Sequence, residues 1–541
     1  MARHLHSRLK IIGDLIAETP LHVGGYGESF ETDMALARNG EDKFYIPGTS
    51  LTGTLRNWFE KNFPSEVDNI WGFQIGDQGH ASFVLIEDLT LPEQVQSELR
   101  DGVGIDRIFG TAADKTKFDR TILPKGTKLN FEMTVEIQSG ADKIKAMFGH
   151  LLEALSQGSI RLGASKTRGL GKVKLQNIKI REDKLLGLDI LNLLESMAEG
   201  EKRFDSFNDF KTNLQNIPDG AIESVYKKFE PQSNSRIEVT IKWQPKSALM
   251  VKAGYEGIGV DMLPLTSGND RDQVSLCLPG SSIKGAFRSH AERIMRTLTT
   301  APSANEFHEQ IKLELIDELF GAKKENPKDN DSKEAKGRKK YLGLGALSID
   351  DCYAQKEFAM NSNDWANVET GKVYDDKSFY EDGEQAEEVT LWQGLKKIEG
   401  EPDLKTDTKN FHISHHVAID RWTGGASEGA LYSVLQPTAT IGWQDICLTL
   451  DLSRLPADKK LKSLMLLLLV LRDFAENRLP LGFATNRGMG EVIVKEINGL
   501  EKIPKLTGVE SQLFEAEIKD EKLIFKGDQV KDALKGVWNY E

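Results

Sequence analysis

The chain repeats itself, and a duplicated sequence folds as two similar bodies. Ile46-Pro-Gly-Thr-Ser-Leu-Thr-Gly-Thr-Leu-Arg56 returns as Leu278-Pro-Gly-Ser-Ser-Ile-Lys-Gly-Ala-Phe-Arg288, at an offset of 232. Leu162-Gly-Ala-Ser-Lys-Thr-Arg-Gly-Leu-Gly171 returns as Leu481-Gly-Phe-Ala-Thr-Asn-Arg-Gly-Met-Gly490, at 319. Ile105-Asp-Arg107 matches Ile419-Asp-Arg421 at 314, and Thr32-Asp-Met-Ala-Leu36 matches Val260-Asp-Met-Leu-Pro264 at 228. The landmarks keep their order. The jump from 232 to 314 puts about 80 extra residues in the second copy. They fall in a polar stretch at about 322–340 and an acid-rich one at about 354–407. Both read as solvated insertions.

Each copy carries the same coarse order of elements. An alternating strand (Leu9 to Ala17; Ile237 to Trp243) leads to a glycine-bearing loop, then to Pro-Gly and a helix. Leu51, Leu55 and Trp58 lie at helical spacing, and the Thr49 or Ser281 hydroxyl is placed to cap. A strand, a hairpin region, a long strand, a helix, the second glycine loop and a last strand follow. Strand, helix, strands, helix, strand is the ferredoxin-like order shared with RNA-recognition folds. The expected class is therefore α+β: two tandem ferredoxin-like domains over 1–182 and 236–500, with a helical connector at 183–235 and an extension at 501–541.

Composition sets limits without deciding function. At 541 residues the chain exceeds one core, and 39% apolar content is ordinary for a globular protein. Three scattered cysteines suit a reducing compartment, and no signal peptide is apparent, so the cytoplasm is the expected address. The longest apolar run, Leu464 to Leu471, reads as a buried helix and not a membrane span. A net charge of −13 argues against indiscriminate nucleic-acid binding but leaves room for a local basic groove.

The repeated motifs supply that groove. Glycines in 163–171 allow close backbone approach to phosphate, and Lys166, Arg168 and Lys172 can neutralise it. The spacing is not that of a P-loop, and the loop precedes a strand, so a nucleotide-binding enzyme is disfavoured. Arg487 holds the same place in the second loop. Ser50 and Ser282 sit at a helix start, where partial positive charge and free N–H groups suit phosphate, with Arg56 and Arg288 two turns on. His412, His415 and His416 have no cysteine or fourth ligand at metal spacing, and read as hydrogen-bonding or stacking groups.

A Pro-Gly-Ser-Ser-x-Lys-Gly-x-x-Arg helix paired with a terminal Arg-Gly-x-Gly loop resembles the RAMP superfamily of CRISPR proteins. More narrowly, it looks like two fused copies of the Cas-seven backbone subunit of type III effectors. The resemblance implies a ribonucleoprotein subunit that holds a guide RNA beside other effector subunits and cleaves the complementary target RNA. It implies that Asp33 and Asp261, in the loops before the Pro-Gly helix, are required for cleavage. It likewise implies that Asp106, Arg107, Asp420 and Arg421 approach a thumb hairpin that wedges the duplex at regular intervals. Ser50, Arg56, Lys166, Arg168, Lys172, Ser282, Lys284, Arg288 and Arg487 correspond to guide-backbone contacts. The first copy departs by carrying Thr52 where the second has Lys284, and the second lacks the Gly24-Gly25 pair. Either Asp can orient a hydrated Mg2+ or Mn2+, or accept the 2′-hydroxyl proton; the residues do not choose. Two rivals remain: a scaffold without catalysis, and a metal-independent nuclease that processes guide precursors.

Overall fold

A computed structural model describes residues 5–25, 32–92, 95–138, 140–184, 204–217, 235–254, 260–268, 273–299, 304–311, 313, 315–323, 343–355, 365, 410–502 and 516–525. The leucine periodicity at 185–197, and most of both insertions, lie outside these residues. The chain divides into two compact units. The first comprises 1–99, 120–166 and 170–233; the second comprises 100–119, 167–169 and 234–541. Two pieces of the first sequence repeat thus belong to the second unit.

In the first unit, β1 (Ser7–Ala17) is followed by α1 (Gly48–Asn62), α2 (Val67–Trp71), β2 (Val84–Ile86), β3 (Lys128–Ile137), α3 (Ala141–Ser156) and β4 (Lys172–Lys184). The sheet order is β4-β1-β3-β2, all antiparallel. Alternation along β1 sends Leu9, Ile11, Leu15 and Ala17 inward, as period-2 patterning requires. On α1 the buried set is Leu51, Leu55 and Phe59, four residues apart, while Trp58 sits at the edge of the core. Phe59 anchors an aromatic group with Phe63, Trp71 and Phe148, at ring separations of 5.0, 5.8 and 5.6 Å. Of the connector, Asp205–Ser206 pairs with β4, and helix Phe207–Gln215, capped by Ser206 Oγ, buries Phe207, Phe210 and Leu214.

The second unit repeats the plan. Here β5 (Arg236–Pro245), α4 (Gly280–Thr299), α5 (Ile316–Phe320), β6 (Leu347–Asp350), β7 (Phe411–Ile419), β8 (Ala426–Pro437), β9 (Ile446–Asp451), α6 (Lys460–Ala475) and β10 (Val492–Asn498) follow in order. The sheet runs β6-β9-β5-β10, the first unit's arrangement with each strand replaced by its counterpart. Arg168–Gly169 adds a parallel pair at the β6 edge. Helix α6 is buried along Leu464–Leu468, Val470 and Leu471, and Phe474 packs on Phe287 of α4 at 5.3 Å. The short hairpin Ala516–Lys519 and Lys522–Phe525 returns the extension to this core through Leu523. No helix among the described residues is long and apolar enough to cross a membrane.

The expected side-chain caps on α1 and α4 are not formed. Pro47 precedes α1 without a side-chain cap, and Asp88 Oδ1 instead accepts the Gly48 N–H at 2.7 Å. Asp351 Oδ1 does the same for Gly280 at 2.7 Å. A carboxylate from a distant segment serves the positive helix end more strongly than a hydroxyl would. Thr49 and Ser281 are left exposed.

Truncating Phe59 removes the centre of the aromatic group. Phe59→Ala should cost about 3–5 kcal/mol. Hydrogen exchange followed by mass spectrometry, with increasing urea, should show peptides of β1 and α1 opening early while those of β5 and α4 keep their protection.

Candidate nucleic-acid interface

In both repeats, three segments far apart in sequence meet beside the sheet. The chain after the first strand carries the glycine loop: Ala164 N–H donates to His22 O at 2.8 Å, and Phe483 N–H to Met250 O at 2.7 Å. Gly163 and Gly482 adopt φ of 79° and 85°, and a Cβ on either would strike that same carbonyl, so glycine is required for this approach. The aspartate loop then meets the base of the hairpin region. Thr121 N–H donates to Met34 O at 3.0 Å, and Leu435 N–H to Met262 O at 2.9 Å. These pairs obey the repeat offsets of 228, 314 and 319 read from the sequence.

The second site is the more fully built. Asp261 is exposed, and its Oδ2 accepts the Ser433 N–H at 2.6 Å and the Ser433 hydroxyl at 2.9 Å. Its Oδ1 has no hydrogen-bond partner among the described residues. One position away on β8, Tyr432 stacks on His416 of β7 with centroids 5.1 Å apart. The Tyr432 hydroxyl takes a hydrogen bond from Arg487, which is itself exposed on the glycine loop. A small apolar patch of Met250, Val434 and Met489 holds the three segments together from below.

In the first unit, Asp33 lies exposed in a bend. Arg120 links the aspartate loop to the glycine loop, reaching Met34 Sδ at 3.1 Å and the Ser165 hydroxyl. His22 Nδ1 lies 2.7 Å from Thr121 O, so that nitrogen carries the proton and donates. Burial, then repulsion from Arg120, pushes this imidazole below its ordinary value and favours the neutral ring, although the Thr121 contact opposes the shift. Lys172 pairs with Glu18 at 3.5 Å.

Several predicted RNA contacts are turned into the protein instead. Arg56 pairs with Asp68 at 2.8 Å, and Arg288 occupies the matching place against Asp317 at 3.4 Å. Arg288 also donates to Glu292, Gly321 O and Ile311 O, which commits its guanidinium to bracing α4. Lys284 is buried, with Nζ on Leu347 O at 2.7 Å. Desolvation, then the charges of Arg168, Arg288 and Arg454, hold this amine well below the usual lysine range. Arg168 differs: it is exposed, and desolvation followed by repulsion from Arg288 lowers its guanidinium somewhat. Ser50 and Ser282 lie half-buried in the first turns of α1 and α4.

Asp106–Arg107 and Asp420–Arg421 form matching turns. Asp106 Oδ1 accepts from Ile108 and Phe109 N–H at 2.8 and 3.0 Å; Asp420 Oδ1 accepts from Trp422 and Thr423 N–H at 2.9 and 2.8 Å. These backbone hydrogen bonds lower both carboxyls from their ordinary value. Ser433, Tyr432, Arg120 and His22 escaped the sequence reading because their counterparts differ: Arg120 aligns with Val434, and His22 with Met250.

The two folds and paired sites define a duplicated member of a known class. A family model described as "RAMP superfamily" matches residues 14–174 and 262–493, and the chain belongs to that superfamily. Among curated proteins it is similar to the "CRISPR system Cms endoribonuclease Csm3" of Methanothermobacter thermautotrophicus, 26% identical over 215 residues, covering 32% of this chain and 85% of the relative. The same-named protein of Methanocaldococcus jannaschii is 26% identical over 208 residues, covering 32% of this chain and 82% of the relative. One relative thus matches about the length of one repeat. The type III backbone resemblance stands on these matches.

The buried amine gives a pH signature. The unfolded lysine binds its proton up to about 10.5, whereas the folded one releases it earlier. Between the two values the unfolded state holds more protons, so stability rises with pH. The urea midpoint of the second unit should climb from neutral pH toward 10.5, and Lys284→Met should abolish the Lys284 contribution to that climb.

Proposed function

We propose that this chain is a backbone subunit of a type III CRISPR ribonucleoprotein. Each unit is a ferredoxin-like RNA-binding fold that grips the guide RNA and cleaves the paired target RNA. The observation that carries this reading is the duplicate meeting of aspartate loop, glycine loop and hairpin base. At the second site the exposed Asp261 carboxylate bonds Ser433, and the adjacent strand residue, Tyr432, joins His416 and the exposed Arg487.

The proposed chemistry is attack of a ribose 2′-oxygen on the adjacent phosphorus, with departure of the 5′-oxygen. A nucleotide displaced from the stack allows the in-line geometry that a regular A-form strand forbids. Asp33 or Asp261 takes the hydroxyl proton or orients it, while Arg487 offsets negative charge building on the phosphate. Among the described residues, no group of three His, Cys, Asp or Glu side chains is placed to hold a metal. The proposed sites rest on the carboxylates of Asp33 and Asp261, each carried on its own loop. Either carboxylate fits a hydrated Mg2+ or Mn2+ whose other ligands are water and RNA phosphate. When bound, such an ion would add electrostatic stabilisation of the phosphate.

One observation favours a scaffold at the second site. Ser433 already donates to Oδ2 of Asp261 through both its N–H and its hydroxyl, the role of a carboxylate that shapes the hairpin base. The two readings separate on end-labelled target RNA in the assembled complex. Asp33→Ala should slow one cut by roughly 10²–10⁴-fold and spare the other, with Asp261→Ala doing the reverse. Unchanged cutting by both variants would assign the chain to the scaffold, whereas survival of wild-type cutting in EDTA would rule out the ion. Arg487→Ala should weaken guide retention and make its loss with salt shallower by about one unit of log–log slope, whereas Lys284→Met should leave guide affinity unchanged.

A further inference from the structure

The two Asp-Arg turns have the same internal structure and different surroundings. In both, the Asp backbone N–H closes on a carbonyl five residues on (Thr111 O at 2.8 Å; Gly425 O at 2.9 Å), and a glycine four residues on donates back at 2.9 Å. Within the second unit, the first turn is docked. Arg107 Nε reaches Glu292 of α4 at 2.6 Å, with the carboxylate only 3% exposed. Gln310 grips the turn from both sides, accepting the Arg107 N–H at 2.9 Å and donating to Asp106 Oδ2 at 3.2 Å. Glu292 is held ready by Arg288, one helical turn before it.

The second turn has no such seat. Asp420, Arg421 and Trp422 are exposed, Trp422 at 96%, and Arg421 has no ion pair among the described residues. The receiving face also exists twice. At the repeat offset of 232, Arg288 and Glu292 correspond to Arg56 and Glu60 on α1. Arg56 is braced by Asp68 as Arg288 is by Asp317, but Glu60 is exposed with no ion pair among the described residues. Among the described residues the chain therefore carries one filled contact, one plug without an ion pair and one helix-face glutamate without an ion pair.

We infer that the Asp420–Arg421 turn plugs into the Arg-x-x-x-Glu helix face of a neighbouring RAMP-fold subunit, as Asp106–Arg107 plugs into Arg288–Glu292. Glu60 offers the same socket to the turn of a neighbour on the other side. Charge complementarity and the filled internal example select this occupant. The inference rests on the proposed role as a backbone subunit.

The test uses the effector purified through a tag on the full chain, with a photoreactive benzophenone amino acid at position 421. The cross-linked peptide should come from the helix after a Pro-Gly motif in a RAMP subunit and contain Arg-x-x-x-Glu. Arg421→Glu should weaken retention of that neighbour about tenfold, and a Glu→Arg change in the identified helix should restore it. Glu60→Arg should release a neighbour while Arg421 contacts persist. Cross-links to RNA or to another protein element, or full retention by Arg421→Glu, would overturn the docking while leaving the backbone reading intact. A wild-type chain that purifies with no RAMP neighbour would overturn the backbone reading itself.

Discussion

A buried carboxylate organises the second unit. Asp351 accepts the first N–H of α4 at 2.7 Å and the Arg100 guanidinium at 2.6 Å, and its side chain is fully enclosed. A Cβ at Gly169 would strike Asp351, so Gly169 alone lets the strand that carries Arg168 pass against the helix start. One side chain thus fixes where α4 begins, where Arg100 enters and how Arg168 reaches the surface. Removing one member of such a buried pair strands the other charge, at a cost of about 3–5 kcal/mol. In the first unit, Asp88 holds Gly48 in the same way. The helix ends expected to attract phosphate already have one N–H engaged, by Asp88 at Gly48 and by Asp351 at Gly280.

Much of the plan was legible because duplication supplies its own control. The period-2 alternation of β1 and β5, the apolar spacing on α1 and the glycine loops all recur, and all form. The repeat placed both aspartates in the loop before the Pro-Gly helix, and the structure adds that this loop meets the base of the hairpin region. What the repeat could not show was direction. Arg56, Arg288 and Lys284 read as exposed cations, yet Arg56 braces α2, Arg288 braces α5, and Lys284 is buried beneath β6. An i+4 or i+7 spacing says which helical face a residue shares, not whether that face meets solvent or a second helix. The helix caps failed for a related reason: the acceptors, Asp88 and Asp351, lie 40 and 71 residues from the glycines they serve.

Sites equivalent in sequence have diverged in support. Asp261 is tied to Ser433, and the next residue on that strand, Tyr432, stacks on His416 and accepts from Arg487. In the first unit, Arg120 performs the tethering, drawing the aspartate loop and the glycine loop together through Met34 and Ser165. A hydroxyl fixes a carboxylate by hydrogen bonds, whereas a guanidinium adds positive charge to its surroundings. Duplication preserved the meeting of three segments while the groups that stabilise it changed.

The account turns on RNA lying across the glycine loops and hairpin bases. Ultraviolet cross-linking of the purified ribonucleoprotein, with mass spectrometry of the nucleotide-bearing peptides, reads this contact directly. Adducts should concentrate in 163–172 and 482–490 and on Tyr432. Adducts confined to other surfaces, with both glycine loops untouched in a complex that retains its guide, would contradict it.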